Sequence, residues 1–402
     1  MPLHDPAHAF VPYPNAPVAS AMTGPLADLR FGVKDLFDVA GYPTGGGSPI
    51  VLAMSGIKTG TAPTVQKLLD AGARFAGKTV TDEFAFSMNG NNVHFGAPLN
   101  GAAPDRITGG SSSGSASAVS SSLCDFALGT DTGGSVRAPA SHCGLYGLRP
   151  TQGRVSLEGA LNLAPSFDTC GWFAREAATF VRVGDVLLGH DAAPLPAKVR
   201  LLWPEDVWVM MEPSARDALN DAVQRVQSLL GQAAPVRTVL ESWDAMYWNF
   251  RYLQSREAWL TDGPLIERYA PPLGPGVAER FAWSRQVTDE QVRTARVFRS
   301  AFRAQLAALL GTDGVLLMPT MPDIAPLRSA VESSLEDYRN RAIRMLCIAG
   351  HAGFPQLSMP LATRHDAPLG LSLLGPADSD RSLLALAARL APWVTRAEDG
   401  RT

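Results

Sequence analysis

Residues 109–150 read GGSSSGSASAVSSSLCDFALGTDTGGSVRAPASHCGLYGLRP. Serine, glycine and alanine dominate the first third of this stretch, a composition that flexible linkers also have. Apolar residues such as Val119 and Leu123 lie within it or directly after it, and a solvated linker rarely contains so many. We therefore predict a buried segment here, in which small side chains allow the backbone to pack closely against its neighbours.

A second cluster of glycines follows the short apolar run 126–129, in the sequence DTGGS at 131–135. Successive glycines let several backbone N–H groups converge on one point without obstruction by side chains. An oxyanion hole requires such convergence, because its donors must surround a single oxygen atom. A simple turn would have the same T-G-G-S sequence, and the motif alone leaves that alternative open.

A third segment, FGVKD at 31–35, lies in an apolar strand that we predict over 29–39 and contains Lys34. Burying a charged ammonium group is costly. A buried lysine can respond by losing its proton, and the neutral amine is then a base. An exposed lysine on an edge strand is the alternative that this segment by itself leaves open.

Strand and helix patterns alternate around these three segments. A helical pattern is predicted over 62–72, and strands are predicted over 73–80, 314–320, 354–360 and 369–375. Such alternation predicts an α/β fold. Residues 190–310 instead look mostly helical and contain six of the eight tryptophans. These tryptophans indicate either the packed core of the helices or an aromatic lid over a substrate site.

The bulk composition narrows the class of protein. The chain has 402 residues, 46% of them hydrophobic and 18% charged, with a net charge of −3, which is typical of a soluble globular protein. It has no basic stripe of the kind that binds nucleic acid, no apolar run that would span a membrane and no secretory pattern over 1–14. The four cysteines are widely spaced, which predicts neither disulfides nor a zinc site. We therefore expect a cytoplasmic protein with free thiols and without a metal or cofactor.

Together, the three segments resemble the amidase signature family. Ser111 and Ser135 are 24 positions apart, the separation of the relay serine and the nucleophile in that family. GVKD at 32–35 is similar to the family's lysine motif, and the stretch 109–150 resembles its signature region. Within the family, GVKDLFDVAG, TDEFAFSMNG and SFDTCGWFAR look most similar to plant indole-3-acetamide hydrolases and their bacterial relatives.

The resemblance implies a fold and a division of the chain. The amidase signature fold is a large mixed, twisted β-sheet covered by α-helices on both faces. A single amidase domain would extend over 1–402. Its parts would be a signature core at 29–180, a helical, variable substrate-side region at 190–310 and a return to the core sheet at 311–395.

The resemblance also implies catalytic roles. Ser135 would be the nucleophile, Ser111 the proton relay and Lys34 the base, and Ser111 would follow a cis peptide bond. The expected reaction is hydrolysis of the C–N bond of a small carboxamide through an acyl-enzyme, with an aryl or arylalkyl amide favoured. The partners would be that amide and water, with no nucleic acid or membrane, and a homodimer is left open.

Further residues are assigned supporting roles by the same resemblance. The oxyanion would be held by backbone N–H groups of Ser135 and of Thr132, Gly133 and Gly134. The acyl pocket would be lined in part by the loop that contains Ala85, Phe86, Ser87 and Met88. The loop of the nucleophile would be braced by Asp131, Arg137 and Ser112.

Competing assignments follow from other motifs. GSSSG at 110–114 satisfies G-x-S-x-G with Ser112 as nucleophile, but a polar turn precedes it, where a nucleophile elbow requires a buried strand. SGIK at 55–58 satisfies S-x-x-K, a weak pattern. The histidines that would suit a Ser-His-Asp triad are His94, His142 and His351. Esterase or carbamate hydrolase activity on the same residues is the main functional alternative, and a non-catalytic scaffold is another.

Overall fold

The structure, a computed structural model, describes residues 4–391, so the last part of the predicted return to the sheet, 392–395, lies outside the described residues. Ten strands within this range form one mixed sheet. They are β1 (Arg30–Lys34), β2 (Arg74–Thr79), β3 (Phe126–Thr130), β4 (Tyr146–Arg149), β5 (Cys170–Ala174), β6 (Arg200–Pro204), β7 (Ala234–Val236), β8 (Gly314–Pro319), β9 (Gln356–Arg364) and β10 (Ala367–Leu374). Their order across the sheet is β2-β1-β3-β5-β4-β9-β10-β8-β6-β7.

The helices of the described residues fill the connections between these strands. They are α1 (Pro49–Ser55), α2 (Pro63–Asp70), α3 (Ser113–Ser120), α4 (Arg137–His142), α5 (Ala177–Leu188), α6 (Glu205–Trp208), α7 (Pro213–Asp217), α8 (Asn220–Leu230), α9 (Trp243–Tyr269), α10 (Val277–Ser284), α11 (Asp289–Leu310), α12 (Glu332–Ala352) and α13 (Asp380–Leu390). A short 3₁₀ turn covers Glu83–Ala85. None of the helices in 4–391 combines the length and the apolar character needed to cross a membrane.

The sheet is parallel towards both edges and antiparallel in the middle. β1 is parallel to its neighbours β2 and β3, and β6 is parallel to β7 and β8. Between these two edges, neighbouring strands in the series β3-β5-β4-β9-β10-β8 pair antiparallel. Successive side chains of a strand point to opposite faces, and Leu316 and Leu317 of β8 belong to two different apolar clusters. Both faces are therefore covered, and the predicted large mixed sheet with helices on both faces is confirmed.

The serine- and glycine-rich stretch forms a buried helix, α3. This confirms the prediction of a buried segment rather than a flexible linker. A methyl group added at Gly114 would lie 2.4 Å from the backbone N of Val80 and from the backbone O of Ala9. Real side chains do not approach backbone atoms so closely, so the helix needs small residues at this contact. The close packing fixes the loop that leads into α3, where Ser111 lies.

Residues 190–310 supply more than helices. β6 and β7 lie in this region and extend the sheet at one edge, and the sequence analysis did not predict either strand. The tryptophans of this region differ in burial. Trp208 is buried in the core and stacks on Trp203 with ring centroids 4.0 Å apart, whereas Trp248 and Trp283 form a partly exposed aromatic group on α9 and α10.

Candidate active site

Lys34 ends β1, an inner strand, and its side chain is completely buried. Its Nζ lies 2.8 Å from Ser111 Oγ and 2.8 Å from Thr130 Oγ1. Because β1 pairs with a strand on each side, the edge-strand alternative for this lysine is wrong. The structure thus brings the predicted base into hydrogen-bond contact with the predicted relay serine.

The surroundings of Lys34 favour its uncharged form. Burial lowers the pKa of Lys34 to about 7, and the carboxyl groups of Asp82, Asp168 and Asp131 only partly offset the effect of burial. A buried charge is disfavoured relative to the neutral form because the interior solvates it poorly. Near neutral pH a substantial fraction of the amine therefore carries a free lone pair.

Ser111 lies in the loop between β2 and α3, and the Gly110–Ser111 peptide bond is cis, as the resemblance predicted. The carbonyl of Ser111 accepts hydrogen bonds from the backbone N–H of Asp82 at 3.1 Å and from Thr81 Oγ1 at 3.0 Å. A methyl group added at Gly110 would lie 2.2 Å from Asp82 Oδ2. The loop therefore holds Ser111 through the backbone of Ser111, and the hydroxyl of Ser111 remains available to Lys34.

A buried carboxylate organises the loop that carries Ser135. Asp131 accepts hydrogen bonds from the backbone N–H of Gly134 at 2.9 Å and of Val136 at 3.1 Å. Arg137 donates to the same carboxylate from Nε at 3.0 Å and from Nη2 at 2.8 Å, and Arg149 donates from Nη1 at 3.1 Å. Burial alone would raise the pKa of Asp131, but the two guanidinium groups outweigh it and hold this pKa well below its ordinary value.

We expect Asp131→Asn to destabilise the fold by about 3–5 kcal/mol, because it leaves the buried guanidinium groups of Arg137 and Arg149 without their anion. The pKa of Asp131 is lowered on folding, so its contribution to stability is complete above the unfolded-state value of about 4. That contribution is lost as the pH falls through the lowered folded-state pKa. Urea unfolding at pH 7 measures the effect. Asp28→Asn is the matched control, because Asp28 pairs with Arg182 at the exposed surface, and an equal loss in both variants would contradict the prediction.

One of the N–H groups predicted for the oxyanion hole already has an acceptor within the protein. The backbone N–H of Gly134 donates to the carboxylate of Asp131 at 2.9 Å. By contrast, the N–H groups of Thr132, Gly133 and Ser135 donate no hydrogen bond within the described residues. These three N–H groups are the ones that remain available to an oxyanion.

The predicted pocket loop and the predicted nucleophile line the same small cavity. Its lining residues are Ala85, Phe86, Ser87, Met88, Gly133, Ser135, Phe250, Gln254, Arg339 and Ile343. Phe84 and Ala85 have positive φ angles of 52° and 55°, which are uncommon for non-glycine residues. This backbone conformation turns the loop so that its following residues reach the cavity.

The competing serines have other contacts. The hydroxyl of Ser112 is fully buried and donates to the carbonyl of Thr130 at 3.2 Å, which is the bracing role predicted for it. The hydroxyl of Ser55 accepts from the backbone N–H of Thr44 at 2.8 Å. Lys58 forms an ion pair with Asp38 at 3.4 Å. Neither motif therefore has a serine–base pair of its own.

The three histidines also have partners other than serine. Burial lowers the pKa of His142 to about 3 and that of His351 to about 4. His142 contacts the hydroxyl of Tyr338, His351 contacts a backbone carbonyl, and His94 pairs with Glu83. Among the residues that the structure describes, no serine side chain bonds to any of them, so the Ser-His-Asp alternative has no geometry to support it.

Sequence reasoning missed two groups that contact the site. Thr130 shares the amine of Lys34 with Ser111, and Asp82 lies beside the cis peptide and accepts from the backbone N–H of Gly90 at 3.0 Å. Burial raises the pKa of Asp82, and the amine of Lys34 counteracts this. Thr130 could have been found because it is the last residue of an apolar strand that runs directly into the DTGGS motif. Nothing in the local sequence distinguishes Asp82.

A known structure with the same architecture is that of an amidase. A solved amidase structure superimposes with a TM-score of 0.82 at 31% identity, and the match covers 93% of this chain and 85% of the other. This likeness of fold and sequence places the chain in the amide-hydrolysing class of enzymes.

The sequence comparisons agree and specify the family. The chain belongs to the Amidase family, whose model matches residues 14–384. Amidase 1 of Arabidopsis thaliana is 40% identical to it over 94% of this chain and 96% of the relative. The chloroplastic outer envelope protein 64 of the same plant is 33% identical over 92% of this chain and 67% of that relative.

Proposed function

We propose that this amidase cleaves the C–N bond of a small aryl or arylalkyl carboxamide, such as indole-3-acetamide, through an acyl-enzyme on Ser135. The observation that carries the proposal is the 2.8 Å contact between the buried amine of Lys34 and the hydroxyl of Ser111. An amine whose pKa is about 7 can accept a proton from that hydroxyl near neutral pH. A surface lysine, charged at this pH, could not.

The proposed reaction begins with a proton transfer. Ser111 passes its hydroxyl proton to Lys34 and takes the proton of Ser135, whose oxygen then bonds to the carbonyl carbon of the amide. The N–H groups of Thr132, Gly133 and Ser135 stabilise the oxyanion. The relay then runs in reverse and protonates the amine as the C–N bond breaks. Water, activated by the same relay, hydrolyses the ester and restores Ser135.

The cavity supports an apolar acyl group. Phe86 and Met88 from the predicted loop line it together with Phe250 of α9 and Ile343 of α12. Apolar and aromatic linings are typical of pockets for small organic ligands, in which a few polar groups fix the orientation. Buried free thiols at all four cysteines support the reducing cytoplasm as the compartment.

We expect a panel of primary amides to give ammonia release that is fastest for aryl and arylalkyl members and slower for short aliphatic ones. The apolar side chains in the cavity lining, such as Phe86 and Phe250, supply the physical reason, because each buried CH₂ group contributes about 0.8 kcal/mol of transfer free energy. The measurement is kcat/KM for benzamide, phenylacetamide, indole-3-acetamide and propionamide. A ranking led by propionamide would contradict the proposed acyl group and leave amide hydrolysis intact.

Matched esters test the main alternative activity. Esters hydrolyse faster than amides without a catalyst. Because the relay protonates a departing amine, the ratio of ester to amide hydrolysis rates should be smaller on this enzyme. We compare phenylacetamide with methyl phenylacetate, and an enzyme that hydrolyses only the ester is an esterase. A scaffold without turnover would hydrolyse neither compound and would leave Ser135 unlabelled by a fluorophosphonate, since that reagent requires an activated serine.

A further inference from the structure

Three buried arginines gather beside the cavity of Ser135. Arg251 lies on α9, Arg280 on α10 and Arg339 on α12, and their exposed fractions are 7%, 8% and 4%. Arg339 lines the same cavity as Ser135. Arg251 and Arg280 line a groove of about 430 Å³ together with Trp283. Three different helices thus contribute these guanidinium groups, one to the cavity of Ser135 and two to this groove, and the charge of Arg339 acts on both of the others.

The described side chains provide few counter-charges for these arginines. Glu336 Oε1 lies 3.1 Å from Arg339 Nη1 and is the single carboxylate that forms an ion pair with any of the three in the described part of the chain. Arg280 donates from Nε to the carbonyl of Phe86 at 2.6 Å. The Nε atoms of Arg251 and Arg339 are buried and have no hydrogen-bond partner among the residues that the structure describes. The cluster therefore has both an excess of positive charge and unused donors.

Arg251 is held by aromatic rings rather than by an anion. Its guanidinium carbon lies 5.3 Å from the ring centre of Trp283 and 5.8 Å from that of Tyr247. Burial, followed by repulsion from Arg339, lowers the pKa of Arg251 to about 10, and the same two causes lower that of Arg280 to about 9. Cation–π contacts compensate only a part of the cost of burying a charge, so the cluster is left short of negative charge.

We infer that Arg251, Arg280 and Arg339 bind a carboxylate carried by the amide substrate. Buried cations are stable when they are paired, and the planar fork of a guanidinium group matches the two oxygens of a carboxylate. The inference rests on the proposed function and narrows it: the preferred substrate is an aryl or arylalkyl amide with a carboxylate at its far end. That carboxylate can belong to the acyl group or to the departing amine.

Matched pairs of amides distinguish these two sources. For the acyl side the pair is 4-carboxyphenylacetamide and 4-methylphenylacetamide. For the amine side it is N-(phenylacetyl)glycine and N-propylphenylacetamide. We expect kcat/KM to favour the anionic member of one pair by about 10- to 100-fold, the range typical of hydrogen bonds to charged groups. The pair that shows the preference identifies the end of the substrate that the arginines contact.

Arg339→Gln tests whether the cluster causes the preference. We expect the ratio of kcat/KM between the anionic and the neutral member to fall about 10-fold or more. This ratio does not depend on the fraction of folded enzyme, so partial misfolding of the variant cannot mimic the result. Arg285→Gln is the matched control, because Arg285 follows directly after α10, is 66% exposed and pairs with Glu267, and its ratio should stay that of the wild type.

Two outcomes separate this inference from the proposed function. If the wild-type enzyme hydrolyses the neutral amides as fast as the anionic ones, or if Arg339→Gln slows both members equally, the inference is overturned and amide hydrolysis stands. Calorimetric titration of Ser135→Ala with the same four compounds covers the other case. If no amide is hydrolysed but the anionic compounds bind more tightly, and Arg339→Gln removes that difference, the inference stands without the proposed reaction.

Discussion

Ser135→Ala is expected to reduce kcat for amide hydrolysis by a factor on the order of 10⁶, as the removal of the nucleophile does in other serine hydrolases. The alanine methyl group cannot form the ester bond on which the proposed reaction depends. The cavity and the three available N–H groups would remain, so substrate binding should survive. Ammonia release under steady-state conditions measures the loss, and mass spectrometry after fluorophosphonate treatment shows whether the labelled peptide contains position 135.

Two serine variants serve as controls for this result. Ser55→Ala removes the serine of the S-x-x-K motif, whose hydroxyl accepts from the backbone N–H of Thr44 and donates to the carbonyl of Gly56. Ser112→Ala removes the serine of the G-x-S-x-G motif. We expect both variants to be labelled by the fluorophosphonate, although Ser112→Ala should lose stability because its hydroxyl bridges to Thr130. Labelling that survives in Ser135→Ala and disappears in one of these two would transfer the nucleophile to that residue.

The sequence predicted the fold because its decisive features are local. The apolar runs that became β3, β8 and β10 are short and bounded by turn residues, and these strands are buried along their whole length. The pattern is less informative where a strand lies at the sheet edge. β7 has three residues, one of them proline, and two of the three are exposed, so no apolar periodicity marked it within a helical region.

Sequence spacing and motifs led to the predicted catalytic residues. They gave no information about contacts that depend on the folded chain. Lys34 and Ser111 are 77 positions apart, and only the resemblance joined them. The direction of the Gly134 N–H group depends on its φ of 128° and on the carboxylate of Asp131. The presence of two glycines in the motif does not reveal this direction. The three arginines lie on separate helices and belong to no motif, so only the folded chain shows that they meet.

Lys34→Met is expected to lower kcat/KM by about 10⁴-fold or more, the upper end of the range for general acid–base catalysis, because both proton transfers of the relay pass through this amine. Methionine retains most of the side-chain volume and leaves no cavity, so the core around β1 should tolerate it. The control is Lys67→Met, which replaces an exposed lysine of α2 and should retain wild-type activity. A Lys34→Met enzyme that keeps more than a tenth of the wild-type kcat/KM would contradict the role of base.

The pH dependence follows from the same amine. Burial lowers the pKa of Lys34 to about 7, and only the deprotonated form can accept the proton of Ser111. We therefore expect kcat/KM to rise with pH through about 7 and to fall roughly tenfold for each pH unit well below it. The residual activity of Lys34→Met should show no such step, because the variant has lost the group that titrates. If the variant kept the wild-type dependence of kcat/KM on pH, another group would be responsible for the titration, and the amine of Lys34 could not be the base.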